Sequence, residues 1–546
     1  MFLSLTSRNP GALSTIRASA SPAPFLSPVG ALLALCAATL LCWPMLITSA
    51  PLLYFDTVSY FTNGEQIWGR VLALADIVTP HAAVDPAGGG AAAAAATSEA
   101  VTFRSLPYAT FFYPASMTPA GVVLACILQT AMTLWMFLGL VPPLGERERR
   151  DALLGFAAVG TLSTLPWFAS YAMPDLLGAV LPVYFALALG RADTFGPILK
   201  IVLMGIAAFA ILSHYGHLPL ALVLCVCAVL WRLLRGRLTR MGLVFCVLPV
   251  ALAFAVNFAA SIVASAAYAQ PADGGAPAAT APVSTTSPPA APTDNGEPSV
   301  RAASGSEADE GDEEGQASFA PNRIPVLLAR SIEDGPGRWY LQEECRTEDR
   351  YAICELFDKI PSNVWAILWS PDGIRRATPD QLARIRAEET EIVFGAAQRY
   401  PVQQGLALAK NTLKQTILVG TGELLPIPDG GSQDELAAVT PRTVDNETSS
   451  ALTLFDWIAP IFTGLAFLVL LSRMVTGRTQ AFLTEAIVMV FLALVVNAAI
   501  YGGLSAPVDR YQSRIAWLVP ALLALDLAIR RRPLRDGNAP PADAAA

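Results

Sequence analysis

Two aspartates and two arginines, far apart in the chain, have the types and settings for chemistry on an anionic substrate. Asp56 lies in PLLYFDTVSYF, with Tyr54, Phe55, Tyr60 and Phe61 around it. A carboxylate partly desolvated by such neighbours becomes more basic, so it can take a proton from a hydroxyl or ligate a metal. The same residues also suit an interfacial aromatic belt with an aspartate capping a short helix. Asp175, in YAMPDLLG, can assist as a second carboxylate or simply accept backbone N–H groups at a helix start. Arg510 and Arg514, with Tyr511 between them in VDRYQSR, make a fork suited to a phosphate or diphosphate. A salt bridge to Asp509, or lipid headgroup contact, would use the same arginines without a ligand. Arg104, in FRSLPYATFF, is a weaker member of this phosphate-binding group. His214 and His217, in SHYGHLP, share a face if a helix runs through them, as ligands for a metal or a phosphate. A polar helix end is the alternative.

The rest of the sequence has to deliver these residues to one place. Of 546 residues, 54% are hydrophobic and 15% charged, and mean hydropathy is +0.48. That is more apolar surface than one soluble core hides. The chain therefore reads as an all-α polytopic membrane protein with about ten transmembrane helices. Windows of sufficient length fall near 29–50, 118–141, 152–171, 175–190, 197–213, 217–234, 241–268, 452–472, 481–503 and 515–530. Lys and Arg collect in alternate short loops, at 147–150, 191–200, 232–240, 473–478 and 530–535, which marks that side as cytoplasmic. An even number of spans puts both termini there, and a bacterial-type inner (plasma) membrane is the expected setting. Asp56, Asp175, the histidines and Arg510 then all reach the outer, periplasmic face. A net charge of -8 argues against a nucleic-acid partner; membrane lipid is the expected surrounding.

The order along the chain is an N-terminal membrane region at 1–268 with an outer loop at 51–117, a linker at 269–318, a small and mostly helical extracytoplasmic domain at 319–451, a C-terminal membrane region at 452–530 and a cytoplasmic tail at 531–546. The linker, rich in Ala, Pro and Ser and ending in SEADEGDEEG, cannot bury enough apolar surface to fold. Cys345 and Cys354, in EECRTEDRYAIC, are close enough to form a disulfide in an oxidising compartment. The other six cysteines lie in apolar runs and read as packing.

No Walker loop, dinucleotide-binding glycine motif, HExxH or GxSxG stands at a credible location, so ATP-driven work by this chain alone is not expected. An acid just after the first helix, a second acid where the fourth begins and an Arg-Tyr pair in a late outer loop resemble the GT-C superfamily of multi-pass glycosyltransferases. That resemblance implies a polyprenyl-phosphate-linked sugar donor used at the outer face. It implies Asp56 as catalytic base or metal-binding acid, Asp175 as its assistant, and Arg510 and Arg514 as holders of the lipid phosphate, with a divalent cation as a possible cofactor. The rival reading is a non-catalytic membrane partner or a transporter of envelope polysaccharide or lipid-linked intermediates, in which Asn257, Asp456, Glu485 and Asn497 line a path.

Overall fold

The computed structural model describes residues 26–74, 105–142, 144–268, 324–347, 350–428 and 443–529. Arg104, the 269–318 linker and the 531–546 tail lie outside the described residues. Most of what is described is helical. In the N-terminal part the main helices are α1 (Pro28–Leu41), α2 (Phe55–Leu74), α3 (Leu106–Ser116), α4 (Pro119–Leu138), α5 (Glu146–Leu162), α6 (Val180–Gly190), α7 (Pro197–Leu212), α8 (His217–Leu234) and α9 (Arg240–Tyr268). Then follow α10 (Val326–Asp334), α11 (Pro336–Thr347), α12 (Ala352–Leu356), α13 (Val364–Leu368), α14 (Pro379–Arg399) and α15 (Pro401–Ile417). The C-terminal part has α16 (Phe455–Val475), α17 (Thr484–Leu504), α18 (Asp509–Ala516) and α19 (Leu518–Ala528). The only paired strands among the described residues are two residues long, Ile427–Pro428 beside Thr443–Val444.

Local sequence explains many of the helix starts. Ser27, Ser105, Thr118 and Thr378 each accept a backbone N–H from the first turn of α1, α3, α4 and α14, and each is followed within two residues by proline. Proline is preset for that turn and lacks an N–H that would be orphaned there anyway. At some opposite ends, arginines cap carbonyls: Arg232 donates to Ala188 O (2.6 Å) and Arg191 to Gly139 O (2.7 Å). These cations, one in the last turn of α8 and one just after α6, thus also satisfy helix C-termini.

Among the described residues, five helical stretches are long and apolar enough to cross a membrane: α4, α8, α9 over Arg240–Ala259, Glu447–Val475 including α16, and α17. Shorter apolar helices run over Pro28–Leu41, Pro174–Gly190 and Pro197–Leu212. Large apolar side chains remain exposed on these helices, such as Leu243 and Val247 on α9 and Ile461, Leu465 and Leu468 on α16, as lipid contact requires. In contrast, α6 is buried from Val180 to Leu189 on every side. It is enclosed by α4, α7, α8 and α17, and its all-round hydrophobicity follows from that place.

The outer loop expected at 51–117 contains two helices, α2 and α3, that pack on each other. Tyr60 and Tyr108 meet edge to face at 4.9 Å, and Trp68 Nε1 donates to Thr110 O (3.0 Å). Polar residues such as Asn63, Glu65 and Arg70 keep α2 out of any apolar window, and α3, at 11 residues, is too short to fill one. The 324–428 segment holds a second hydrophobic core, built by α10 to α14 around Ile332, Leu341, Ile353, Ile385 and Ile392. Cys345 and Cys354 are disulfide-bonded there. Six cysteines elsewhere are free, four of them buried.

Helix α15 packs along α17. Gln415 donates to Val508 O (2.8 Å) and accepts from Val508 N (3.0 Å), while Gly502 lets the helices touch: a Cβ there would stand 2.6 Å from Asn411 O. Gly502→Val should therefore push the helices apart and cost about 1–3 kcal/mol, seen as a lower melting temperature of the purified protein in detergent. An unchanged melting temperature would show that this contact is not tight.

Candidate functional site

Two short backbone contacts bring the aspartates together. Leu52 and Tyr171 form a parallel bridge, in which Leu52 N donates to Ser170 O and Ala172 N to Leu52 O, both at 3.1 Å. Asp56 and Asp175 each lie four residues beyond a bridge partner, so the pairing carries both into one region. Thr57 reinforces it, donating from Oγ1 to Ala172 O (3.1 Å) while accepting Tyr54 N (3.0 Å). Asp56 then occupies the first turn of α2 and Asp175 the 3-10 turn Pro174–Ala179 that leads into α6.

The arginines come from α18, where four-residue spacing puts Arg510 and Arg514 on one face. That helix is pinned at several points. Asp509 accepts Gly420 N (2.8 Å), Ser513 Oγ donates to Gly420 O (2.8 Å), and Thr164 Oγ1 donates to Ser513 O (2.8 Å). Asp509 is thus a tether for the chain around Gly420, and the arginines pair with other acids. Arg510 Nη1 is 3.2 Å from Asp56 Oδ2, and its Nε is 3.8 Å from Asp175 Oδ1. Arg514 Nη1 is 3.4 Å from the same Asp175 oxygen, and its Nη2 donates to Asn497 Oδ1 (2.9 Å).

All four charged residues are at most 4% exposed. Two carboxylates oppose two guanidiniums, so the cluster is formally neutral, which burial at this depth demands. For Arg510, burial alone disfavours the charge, but Asp175 and Asp56 outweigh it and hold the guanidinium well above the usual arginine range. Aromatic faces complete the lining. The Arg510 guanidinium lies 4.4 Å from the ring centre of Tyr54, and that of Arg514 lies 4.2 Å from Tyr501. Tyr511 sits within 5.7 Å of both guanidiniums. Asn497 is itself fixed, donating to Tyr511 O (2.7 Å) and Gln512 Oε1 (2.9 Å).

The histidines flank this cluster, although the helix does not run through them: α7 stops at Leu212 and α8 starts at His217. Ser213 to Gly216 form the break, and the rings still lie 5.1 Å apart. His217 Nδ1 is 2.8 Å from Ala210 O, an acceptor only, so Nδ1 carries the proton and Nε2 presents a lone pair. Nε2 is buried without a hydrogen-bond partner among the described residues, as is Arg514 Nε. Gly178 separates them: a Cβ there would stand 2.9 Å from His217 Nε2 and 3.5 Å from Arg514 Nε. His214 Nδ1 accepts Gly216 N (3.1 Å) and lies 3.2 Å from Tyr501 Oη.

Asp56, Asp175, Arg510, Tyr511, Arg514, His217 and, through Tyr501, His214 are therefore neighbours. Arg104 lies outside the described residues, and the Cys345–Cys354 disulfide belongs to the second core. Asp456, a path-lining residue on the rival reading, accepts Thr421 N (3.1 Å) and Oγ1 (3.0 Å). Sequence reasoning missed Tyr501 and Gln512 and gave Asn497 only to the rival. An amide inside a long apolar helix is the signal that pointed to Asn497. A divalent cation does not fit this donor set: both carboxylates face arginine, and no three His, Cys, Asp or Glu residues group to hold a metal among the described residues. Comparison with protein-family models, curated proteins and solved structures finds no match to the chain.

Breaking a buried ion pair from one side strands the other charge, at about 3–5 kcal/mol. Asp175→Asn should destabilise the protein on that scale. Adding Arg514→Gln should recover more than about 1 kcal/mol of the loss, because the pair is directly coupled. Thermal unfolding of the two single variants and the double variant in one detergent measures this. Strictly additive effects would show that the residues do not interact.

Proposed function

We propose that the protein is an integral membrane glycosyltransferase that uses a polyprenyl-phosphate-linked sugar at the outer face of a bacterial-type inner membrane. On this reading all ten apolar segments cross, both termini are cytoplasmic and the 319–451 region is periplasmic. One observation carries the proposal: a candidate base and a candidate phosphate-binding arginine, 454 residues apart in sequence, meet in a buried ion pair, Asp56 with Arg510.

The resting arrangement suggests how the parts work together. Before the donor arrives, the guanidiniums of Arg510 and Arg514 neutralise Asp56 and Asp175. A donor phosphate competes for the same guanidiniums with charge-assisted, bidentate hydrogen bonds. Once Arg510 turns to the phosphate, Asp56 loses its counter-charge in a dry, aromatic-lined setting and becomes a stronger base. Asp56 then takes the proton of the acceptor hydroxyl as its oxygen attacks the anomeric carbon. The bond from that carbon to the phosphate oxygen breaks, and polyprenyl phosphate leaves with the electron pair. Arg510 and Arg514 stabilise its charge. Asp175 keeps Arg514 in place, and no step requires a metal.

A second reading has one observation in its favour. Four charges that satisfy one another are also how a fold locks helices together, and a non-catalytic membrane partner or transporter could use them so.

Transfer of labelled sugar from a polyprenyl-phosphate donor pool, with purified protein in lipid, separates the two. Asp56→Asn, which keeps the side-chain shape, should lower transfer per folded molecule by at least about 100-fold, beyond the loss of about 3–5 kcal/mol of stability that stranding Arg510 brings, and EDTA should leave the wild-type rate unchanged. Transfer by the variant at the wild-type rate would remove Asp56 from the chemistry. No transfer by wild type across a broad donor set would favour the structural lock.

A further inference from the structure

We propose that the pocket between α11 and the loop after α12 binds an acidic saccharide. The proposal goes beyond the transferase reading and does not depend on it, since a partner or transporter protein with this pocket would bind the same ligand. The pocket has a volume of about 400 Å³, and its lining includes Arg338, Trp339, Gln342, Lys359, Ile360 and Ser362. That volume suits one or two sugar rings.

The chemistry of the lining selects the ligand. A pyranose ring has apolar C–H faces and a rim of hydroxyls. An indole accommodates the face, while the Gln342 amide and the Ser362 hydroxyl offer both donors and acceptors to the rim. Arg338 and Lys359 add two cations, and no ion pair among the described residues involves either of them. A guanidinium and an ammonium on one small pocket favour a carboxylate, as on a hexuronic acid. The nearest acid on the same helix, Glu343, is already engaged by Tyr400 Oη (2.8 Å) and Arg399 Nη2 (3.4 Å).

Both walls are built to stay in place. Gly335, at φ 108°, makes the turn between α10 and α11, and a Cβ on it would stand 2.8 Å from the Trp339 ring. Only glycine permits both the turn and that approach. Tyr400 meets the indole edge to face at 5.5 Å. Across the pocket, Arg376 donates to Leu356 O and lies 5.3 Å over the Phe357 ring, holding the start of the 357–362 loop. The Cys345–Cys354 disulfide ties α11 to α12, and thus one wall to the chain that forms the other. Such preorganisation is what lets a small polar pocket bind without a large ordering cost.

The test is calorimetric titration of the full-length protein in detergent with tetragalacturonate, and with maltotetraose as the neutral control. Saturable binding of tetragalacturonate is expected, with maltotetraose at least about tenfold weaker. The Arg338→Gln/Lys359→Gln double variant should weaken tetragalacturonate binding by at least about tenfold while keeping the wild-type melting temperature. Trp339→Ala should weaken both ligands. Asp56→Asn should bind as wild type does, which separates this site from the ion-pair cluster. The proposal is overturned if tetragalacturonate shows no saturable binding, if maltotetraose binds as tightly, or if the double variant binds unchanged.

Discussion

Arg510 placed between Asp56 and Asp175 is the interaction on which the rest of the site depends. A guanidinium at this depth is tolerable only beside carboxylates, and a lone carboxylate there would be equally costly. Each charge therefore requires the others. The three lie on segments remote in sequence, so the fold has to hold those segments in register. The Leu52–Tyr171 bridge does this for the acids. The tethers of α18 to Gly420, Thr164 and Gln415 do it for the arginines. The fully buried α6, which begins directly after the turn carrying Asp175, gives the cluster a rigid floor.

Polarity along the helices is the second organising feature. His217 opens α8, and Arg232 stands near its other end, about 22 Å away at 1.5 Å per residue. Tyr501 and Asn497 likewise sit toward the end of α17 that faces α18, whereas Glu485 sits in its first turn. The histidines and the aspartate–arginine cluster thus gather at one set of helix ends. At the other set, Arg191, Arg232 and Arg473 cap carbonyls or pair with Asp193 and Asp526. Separating the two chemistries along the helices is consistent with a chain that faces different surroundings at its two ends.

Much of this was legible in the sequence. Long apolar runs locate helices because length and hydropathy are local properties, and the loop aspartates and arginines stood out against an apolar background. What was not legible depended on tertiary pairing. Asp509 looked like the natural partner for Arg510, yet it tethers Gly420 while acids 454 and 335 residues away from Arg510 take the arginine. The α2–α3 hairpin, one helix too polar and the other too short for an apolar window, is stabilised by contacts between its own aromatics. His214 and His217 meet across a helix break, which a face-sharing argument along one helix does not foresee. Tyr501 carries no signal of its own in the sequence; it matters because Arg514 lies on its ring.

The central claim is that the arginines exchange their aspartate partners for a lipid phosphate. Binding of a polyprenyl phosphate to the purified protein, followed by native mass spectrometry beside the uncharged polyprenol, tests it most directly. The account predicts one phosphate-bearing lipid retained per chain, little retention of the polyprenol, and loss of the bound phosphate lipid in Arg510→Gln but not in a folded Asp56→Asn protein. Equal retention of the two lipids, or undiminished phosphate-lipid binding by Arg510→Gln, would contradict it.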